Sequence, residues 1–140
     1  MAFDIDLTLD CAHPTALAAF YKLALGYEDE PPPPPFATRA EWVASFPPDP
    51  DDTADDGAWL RDPDGAGPRL CLQQVAEPKT GKIRLHLDIR VSRGVEPERR
   101  WAAVTESAQR LVAAGGSVLR EVDEHHIVMA DPEGNEFCLA

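Results

Sequence analysis

The run Val128–Ala140, VMADPEGNEFCLA, decides how the rest of the chain is read. Within it, Asp131-Pro132-Glu133-Gly134 has the chemistry of a tight turn. Proline presets φ at the second position, glycine relaxes the exit, and the aspartate carboxylate is able to accept a backbone N–H. Strand-like runs flank the turn, VMA before and NEFCLA after, so the segment reads as a β-hairpin with a strand at its end. A second version stands upstream at Trp59–Gln74, WLRDPDGAGPRLCLQQ, where DPDG matches DPEG and LCL matches FCL. One hairpin present twice divides the chain into two related halves.

Each half opens on an alternating run. Phe3, Ile5, Leu7 and Leu9 face one way and Asp4, Asp6, Thr8 and Asp10 the other. In the second half Leu85, Leu87, Ile89 and Val91 oppose Arg84, His86, Asp88 and Arg90. Period-two alternation of this kind predicts half-buried strands over 3–10 and 83–91. A helix follows each. The first has Pro14 near its start, Gly26 past its end and Leu17, Phe20, Tyr21 and Ala24 at helical spacing. The second starts at Pro97, ends at Gly115-Gly116, and carries Trp101, Val104, Ala108, Leu111 and Val112 on one stripe. GAWLR and RLCLQQV supply the next strands of the first half; SVLREV, HHIVMA and the terminal run supply those of the second.

The expected architecture is therefore α/β (α+β): a single domain over 1–140 made of two βαβββ modules. The first module spans 1–77 and the second 82–140, with Pro78–Gly81 linking them. Residues 31–56 interrupt the first module. Five consecutive prolines, Pro31–Pro35, favour a stiff polyproline II segment. A short helix over Thr38–Ser45 and an acidic, proline-rich loop over Pro47–Asp56 follow. This region reads either as a surface insertion or as a lid over a pocket, with Phe36, Trp42 and Phe46 as its apolar side.

Bulk properties narrow the function. A formal charge of −12 argues against a nucleic-acid or anionic-membrane partner. The start, MAFDIDLTL, has neither the basic nor the apolar region of a signal peptide, and no run approaches the length of a membrane span. Cys11, Cys71 and Cys138 are odd in number and lack CxxC spacing, which fits a reducing cytoplasm better than a disulfide framework.

Two βαβββ units, a histidine in the strand opening the second unit and a closing D-P-x-G hairpin resemble the vicinal oxygen chelate superfamily. That group includes glyoxalase I, bleomycin-resistance proteins and extradiol dioxygenases. HPTALAAFYKLALGY is similar to the family's first helix, RLHLDIRV to its fifth strand and DPEGNEFCL to its last. The resemblance implies a mixed sheet curled around a concave pocket, helices on the outer face, and a homodimer as a common assembly. In metal-using members, strands one, four, five and eight hold a divalent ion, commonly through His or Gln, Glu, His and Glu. Carried over by position, those places fall on Asp6, Cys71, His86 and Cys138, so cysteines stand where both glutamates are expected.

Alternation places Asp6, Cys71, Gln73, His86 and Cys138 on the faces opposite the helix-covered residues. Cysteines and a glutamine are poor choices for a solvated surface, which points to a partly enclosed pocket. On ligand type alone, Asp6, Cys71, His86 and Cys138 suit zinc better than magnesium, manganese or iron. Without a metal, His86 and Asp88 share a face and form a candidate general-base pair, with a structural histidine as the alternative. Asp6, Thr8, Cys71, Gln73, Arg90 and Cys138 are then ligand-facing groups, and Arg84 and Arg90 suit a carboxylate or phenolate. Adjacent strand residues point to opposite sides, so His125 and His126 read as hairpin residues.

Three functions compete. The first is a metal-independent glyoxalase-like protein that binds or transforms a small organic ligand. The second is a lyase, isomerase or dioxygenase using a divalent metal on the altered Asp/Cys/His/Cys set. The third is a non-catalytic interaction protein with a filled pocket. The replaced glutamates favour the first over the second, so no cofactor is expected. Aromatic residues in the insertion favour the first over the third.

Overall fold

The computed structural model describes residues 1–48, 50 and 57–140, so most of the acidic part of the predicted Pro47–Asp56 loop lies outside the described residues. The first module contains β1 (Leu7–Cys11), α1 (Pro14–Leu25), β2 (Glu28–Asp29), α2 (Arg39–Ala44), β3 (Ala58–Arg61) and β4 (Leu70–Gln74). The second contains β5 (Asp88–Ile89), a 3-10 turn (Pro97–Arg99), α3 (Arg100–Ala113), β6 (Ser117–Val122), β7 (His126–Ala130) and β8 (Glu136–Leu139). The strands form two four-stranded sheets of like topology, β1-β4-β3-β2 and β5-β8-β7-β6. In each, the opening strand runs parallel to the last and the remaining pairs are antiparallel. This is the expected pair of βαβββ modules.

Local chemistry explains the helix limits. Pro14 supplies the first turn of α1, and Gly26 closes it in the left-handed region at φ 70°. The short α2 rests on a full capping box: Thr38 Oγ1 accepts from Glu41 N, and the Glu41 carboxylate accepts from Thr38 N. The helix expected from Pro97 begins as the 3-10 turn and becomes α-helical at Arg100. Val112 leaves the predicted stripe and is 46% exposed, while Val104, Ala108 and Leu111 are buried. At about 100° per residue it lies on the flank of a face centred on those three.

Both opening strands are shorter than their alternation predicts. Pairing needs a partner edge as well as a pattern. β1 starts opposite Leu70, just after Pro68, which has no N–H to offer; Phe3 and Ile5 stay 90% and 66% exposed. β5 starts where β8 can match it, Asp88 opposite Cys138, and upstream Ile83 N instead donates to Glu136 Oε2 at 2.8 Å.

One core spans both modules. Leu17, Phe20 and Tyr21 of α1, Leu60, Leu70 and Leu72 of the first sheet, and Ile127, Met129, Phe137 and Leu139 of the second are buried together. Phe20 and Tyr21 meet Phe137 edge-on, at 5.8 and 6.4 Å between ring centroids. The terminal hairpin clamps α1 as well. Asp131, 3% exposed, accepts from Glu133 N, Asn135 N and Asn135 Nδ2, and Tyr21 Oη donates to it at 2.8 Å. The Glu133 carboxylate accepts from Ala12 N at 2.6 Å and His13 N at 3.0 Å, closing the start of a helix that His13 leaves without a side-chain cap. The upstream copy of the turn repeats only the local part: Asp62 accepts from Asp64, Ala66 and Gly67 N.

Candidate functional site

Where β1 and the start of the second module meet without strand pairing, a chamber of about 160 Å³ opens. Leu7, Leu9 and Leu70 line it from the first module, and Leu85, Leu87 and Phe137 from the second. Its polar fringe is Thr8, Tyr21 and Glu136. Glu136 is held in place: Lys79 Nζ donates to its Oε1 at 3.1 Å and Ile83 N to its Oε2. The backbone donor at Ile83, with Lys79 beside it, draws this carboxyl down from 4.5 to about 2. Leu7, Leu70 and Leu87 also line an adjoining cleft, which holds His86, Asp88, Arg90, Arg93 and the Tyr27 ring.

The sequence-selected residues divide between two faces. On the first sheet Thr8 lies opposite Cys71, Asp10 opposite Gln73 and Trp59 opposite Cys71; residues paired across strands share a face. Trp42 of α2 packs edge-on against that Trp59 at 5.6 Å, and the Arg39 guanidinium lies within 5 Å of both rings, at 4.8 and 4.6 Å. The insertion therefore lies on the face that carries Cys71. Asp6 is tied to Arg69 Nη1 at 3.0 Å, and Gln73 is exposed. Burial pushes the Cys71 thiol up, against the pull of Arg69 and Arg39.

On the second sheet Asp88 lies opposite Cys138 and hydrogen-bonds with it, and burial followed by the Asp88 charge pushes that thiol up. His86 takes Lys82 as its partner, Nζ to Nε2 at 3.0 Å. An ammonium only donates, so Nε2 accepts. This differs from the His86–Asp88 pair suggested by alternation. The cause is that residues 83–87 lie outside regular strand, where side-chain directions follow the local turn. Thr8 lines the chamber, and His86, Asp88 and Arg90 line the adjoining cleft. His125 and His126, read as pointing apart, bring their Nδ1 atoms to 2.6 Å because His125 sits in the turn and not in the strand.

Asp6, Cys71, His86 and Cys138 as placed do not make a metal centre. Arg69 engages Asp6 and Lys82 engages His86, while burial pushes both thiols up, away from the thiolate that a metal needs. Among the described residues no group of three or more His, Cys, Asp or Glu is placed to share an ion. Sequence reasoning missed Glu136, Tyr27 and Arg93. Glu136 was accessible to it, being two residues before Cys138 on the same strand face. Tyr27 and Arg93 lie beyond regular elements and carry no periodic signal.

The glyoxalase-like domain family matches residues 6–140. No functionally curated sequence matches. Among solved structures, a possible glyoxalase from Bacillus cereus is 18% identical, covering 99% of this chain and 98% of that one, with a TM-score of 0.62. A glyoxalase/bleomycin resistance protein/dioxygenase family enzyme from Burkholderia phytofirmans PsJN is 18% identical, at 96% and 97% coverage and a TM-score of 0.61. A mutant of the fosfomycin resistance protein FosX from Listeria monocytogenes, complexed with manganese(II) and 1S,2S-dihydroxypropylphosphonic acid, is 14% identical, at 99% and 91% coverage and a TM-score of 0.64. At these identities the likeness is one of fold.

Proposed function

The chain belongs to the glyoxalase-like domain family, and we propose that it binds a small organic molecule at the seam between its modules, without the family's usual metal. The observation that carries this reading is the chamber: an apolar space of about 160 Å³ beside a cleft with charged and aromatic groups. Apolar cavities of roughly 150 Å³ stay dry and take up benzene-sized molecules. The ligand's apolar part sits against Leu85, Leu87 and Phe137. Its polar end reaches Asp88, Arg90 and His86. A binding role fits these groups better than catalysis, because Lys82 and not a carboxylate partners the His86 imidazole. Cys71, Gln73, Cys138 and Asp6 then frame the two sheet faces beside the seam.

Phenylacetate, titrated against isotope-labelled protein, tests this. Saturable amide shifts confined to Leu7–Leu9, Ile83–Arg90 and Phe137 are expected. Leu85 is 67% exposed, so Leu85→Ala leaves folding intact, and it should weaken binding by about fivefold, the loss of roughly 1 kcal/mol of apolar contact. Absence of saturation, or shifts elsewhere that ignore the variant, would refute the assignment.

The reading includes a cytoplasmic setting, in keeping with three free cysteines, and a second copy of the chain over the exposed Phe3 and Ile5. Light scattering should give twice the chain mass, and one chain mass would remove the dimer.

A further inference from the structure

A second cavity, of about 540 Å³, lies in the second module beside the turn that follows β5. Arg90, Arg93, Arg100, Trp101, His125 and Glu124 line it. Three guanidinium groups in one concavity are unexpected in a chain of net charge −12.

Local structure builds the cluster. After β5 the chain folds into a tight turn in which Arg93 N donates to Arg90 O at 3.2 Å and Val95 N to Ser92 O at 3.0 Å, with Gly94 at φ 79°. That turn brings Arg90 and Arg93 to one side. Ser92 N donates to Ala140 O at 3.1 Å and ties it to the end of β8. Arg100 folds back so that its Nε donates to Val95 O at 2.9 Å, which fixes the guanidinium against the turn and leaves both Nη groups without an acceptor among the described residues. Among the described residues, Arg90, Arg93 and Arg100 form no ion pair, although Glu124 lines the same cavity. By contrast Arg61 and Arg69 are matched by Glu28, Glu30 and Asp6. The Trp101 ring is half-buried in the wall.

Like charges held together in a partly enclosed space repel one another unless a counter-charge joins them. Among the described residues no carboxylate pairs with these three, Glu124 included, so an anion is the counter-charge that this cavity suits. Planar guanidinium forks suit the paired oxygens of a phosphoryl group, and an indole face suits an attached ring. We propose that this cavity is a binding site for a phosphate monoester with a planar ring, separate from the seam chamber and sharing only Arg90 and Arg93 with the cleft beside it.

The test is calorimetric titration of the full chain with phenyl phosphate, with benzoate as the monoanionic control. The expected result is saturable one-to-one binding of phenyl phosphate, with benzoate at least several-fold weaker. Arg93 is exposed and its side chain makes no hydrogen bond among the described residues, so Arg93→Gln keeps the fold and should weaken binding by about tenfold, the usual scale for one hydrogen bond to a charged group. Arg100→Gln should act alike where its melting curve matches the parent's, and Arg61→Gln should bind as the parent does. No saturable binding, equal binding of benzoate, or full affinity in Arg93→Gln would each overturn the proposal.

Discussion

Replacing Tyr21 by Phe removes one oxygen from the centre of the molecule and leaves its volume almost unchanged. That oxygen donates at 2.8 Å to Asp131 in a buried setting, with Tyr21 and Asp131 2% and 3% exposed. It joins α1 of the first module to the turn that closes the second. A hydrogen bond to a charged group is worth about 1.5–3 kcal/mol. The carboxylate keeps three further donors, at Glu133 N, Asn135 N and Asn135 Nδ2, so the lower end of that range applies, about 1.5–2 kcal/mol. Urea unfolding should then show a midpoint lower by about 1 M, at a slope near 2 kcal/mol per M.

The pH dependence gives a second, independent reading. Burial, with the Asp131 carboxylate next in effect, pushes the Tyr21 phenol well above the ordinary tyrosine value of 10.0. A raised folded-state value means that the stabilisation is complete below pH 10 and declines as the unfolded chain begins to ionise. The decline approaches about 1.4 kcal/mol per pH unit. Every other ionisable group is common to both proteins, so the parent-minus-variant difference isolates Tyr21. That difference should shrink from pH 10 upward. A midpoint change under about 0.3 M, or a difference flat with pH, would refute the view that this contact joins the modules.

The remaining predictions concern the seam and its flanks. Glu136→Gln should lower stability at neutral pH, and the gap to the parent should close as pH falls from 4.5 toward 2, since a depressed carboxyl stabilises above its unfolded value and loses that effect on protonation; a gap constant in acid urea titrations would sink this. The Cys71 and Cys138 thiols, both pushed up by burial, should react slowly with iodoacetamide at pH 7.5, and rates should keep rising past pH 9; a plateau below pH 8 in either, followed by mass spectrometry, would mean a thiolate that the geometry does not support. His86 is exposed, so His86→Ala should alter stability by less than about 0.5 kcal/mol while weakening ligand binding at the seam; a large fall in melting temperature would mark it as structural instead.

The terminal hairpin, both helices and the module repeat were legible in the residue string because their causes are local. DPEG is a turn in any context that allows it, Pro14 and Gly26 limit a helix by their own backbone preferences, and Leu17, Phe20, Tyr21 and Ala24 share a face through helical spacing alone. The same alternation correctly put Cys71 and Cys138 on the faces away from the core. It overstated the strands at 3–6 and 83–87, since period two records a side-chain preference and says nothing about whether a neighbouring edge exists to pair with.

The site depended on what distance along the chain conceals. Glu133 closes the start of a helix 120 residues away, at His13 N. Lys82 reaches His86 before Asp88 does, and Arg39 arrives over Trp59 from an insertion that has no counterpart in the second module. Arg90, Arg93 and Arg100 become one charged cavity only because a turn closes at Gly94 and a helix begins just beyond it. Side-chain partners are chosen by proximity after the backbone has folded, and electrostatic and apolar contacts act over ångströms, not residues; a pattern with a period of two or 3.6 carries no record of them.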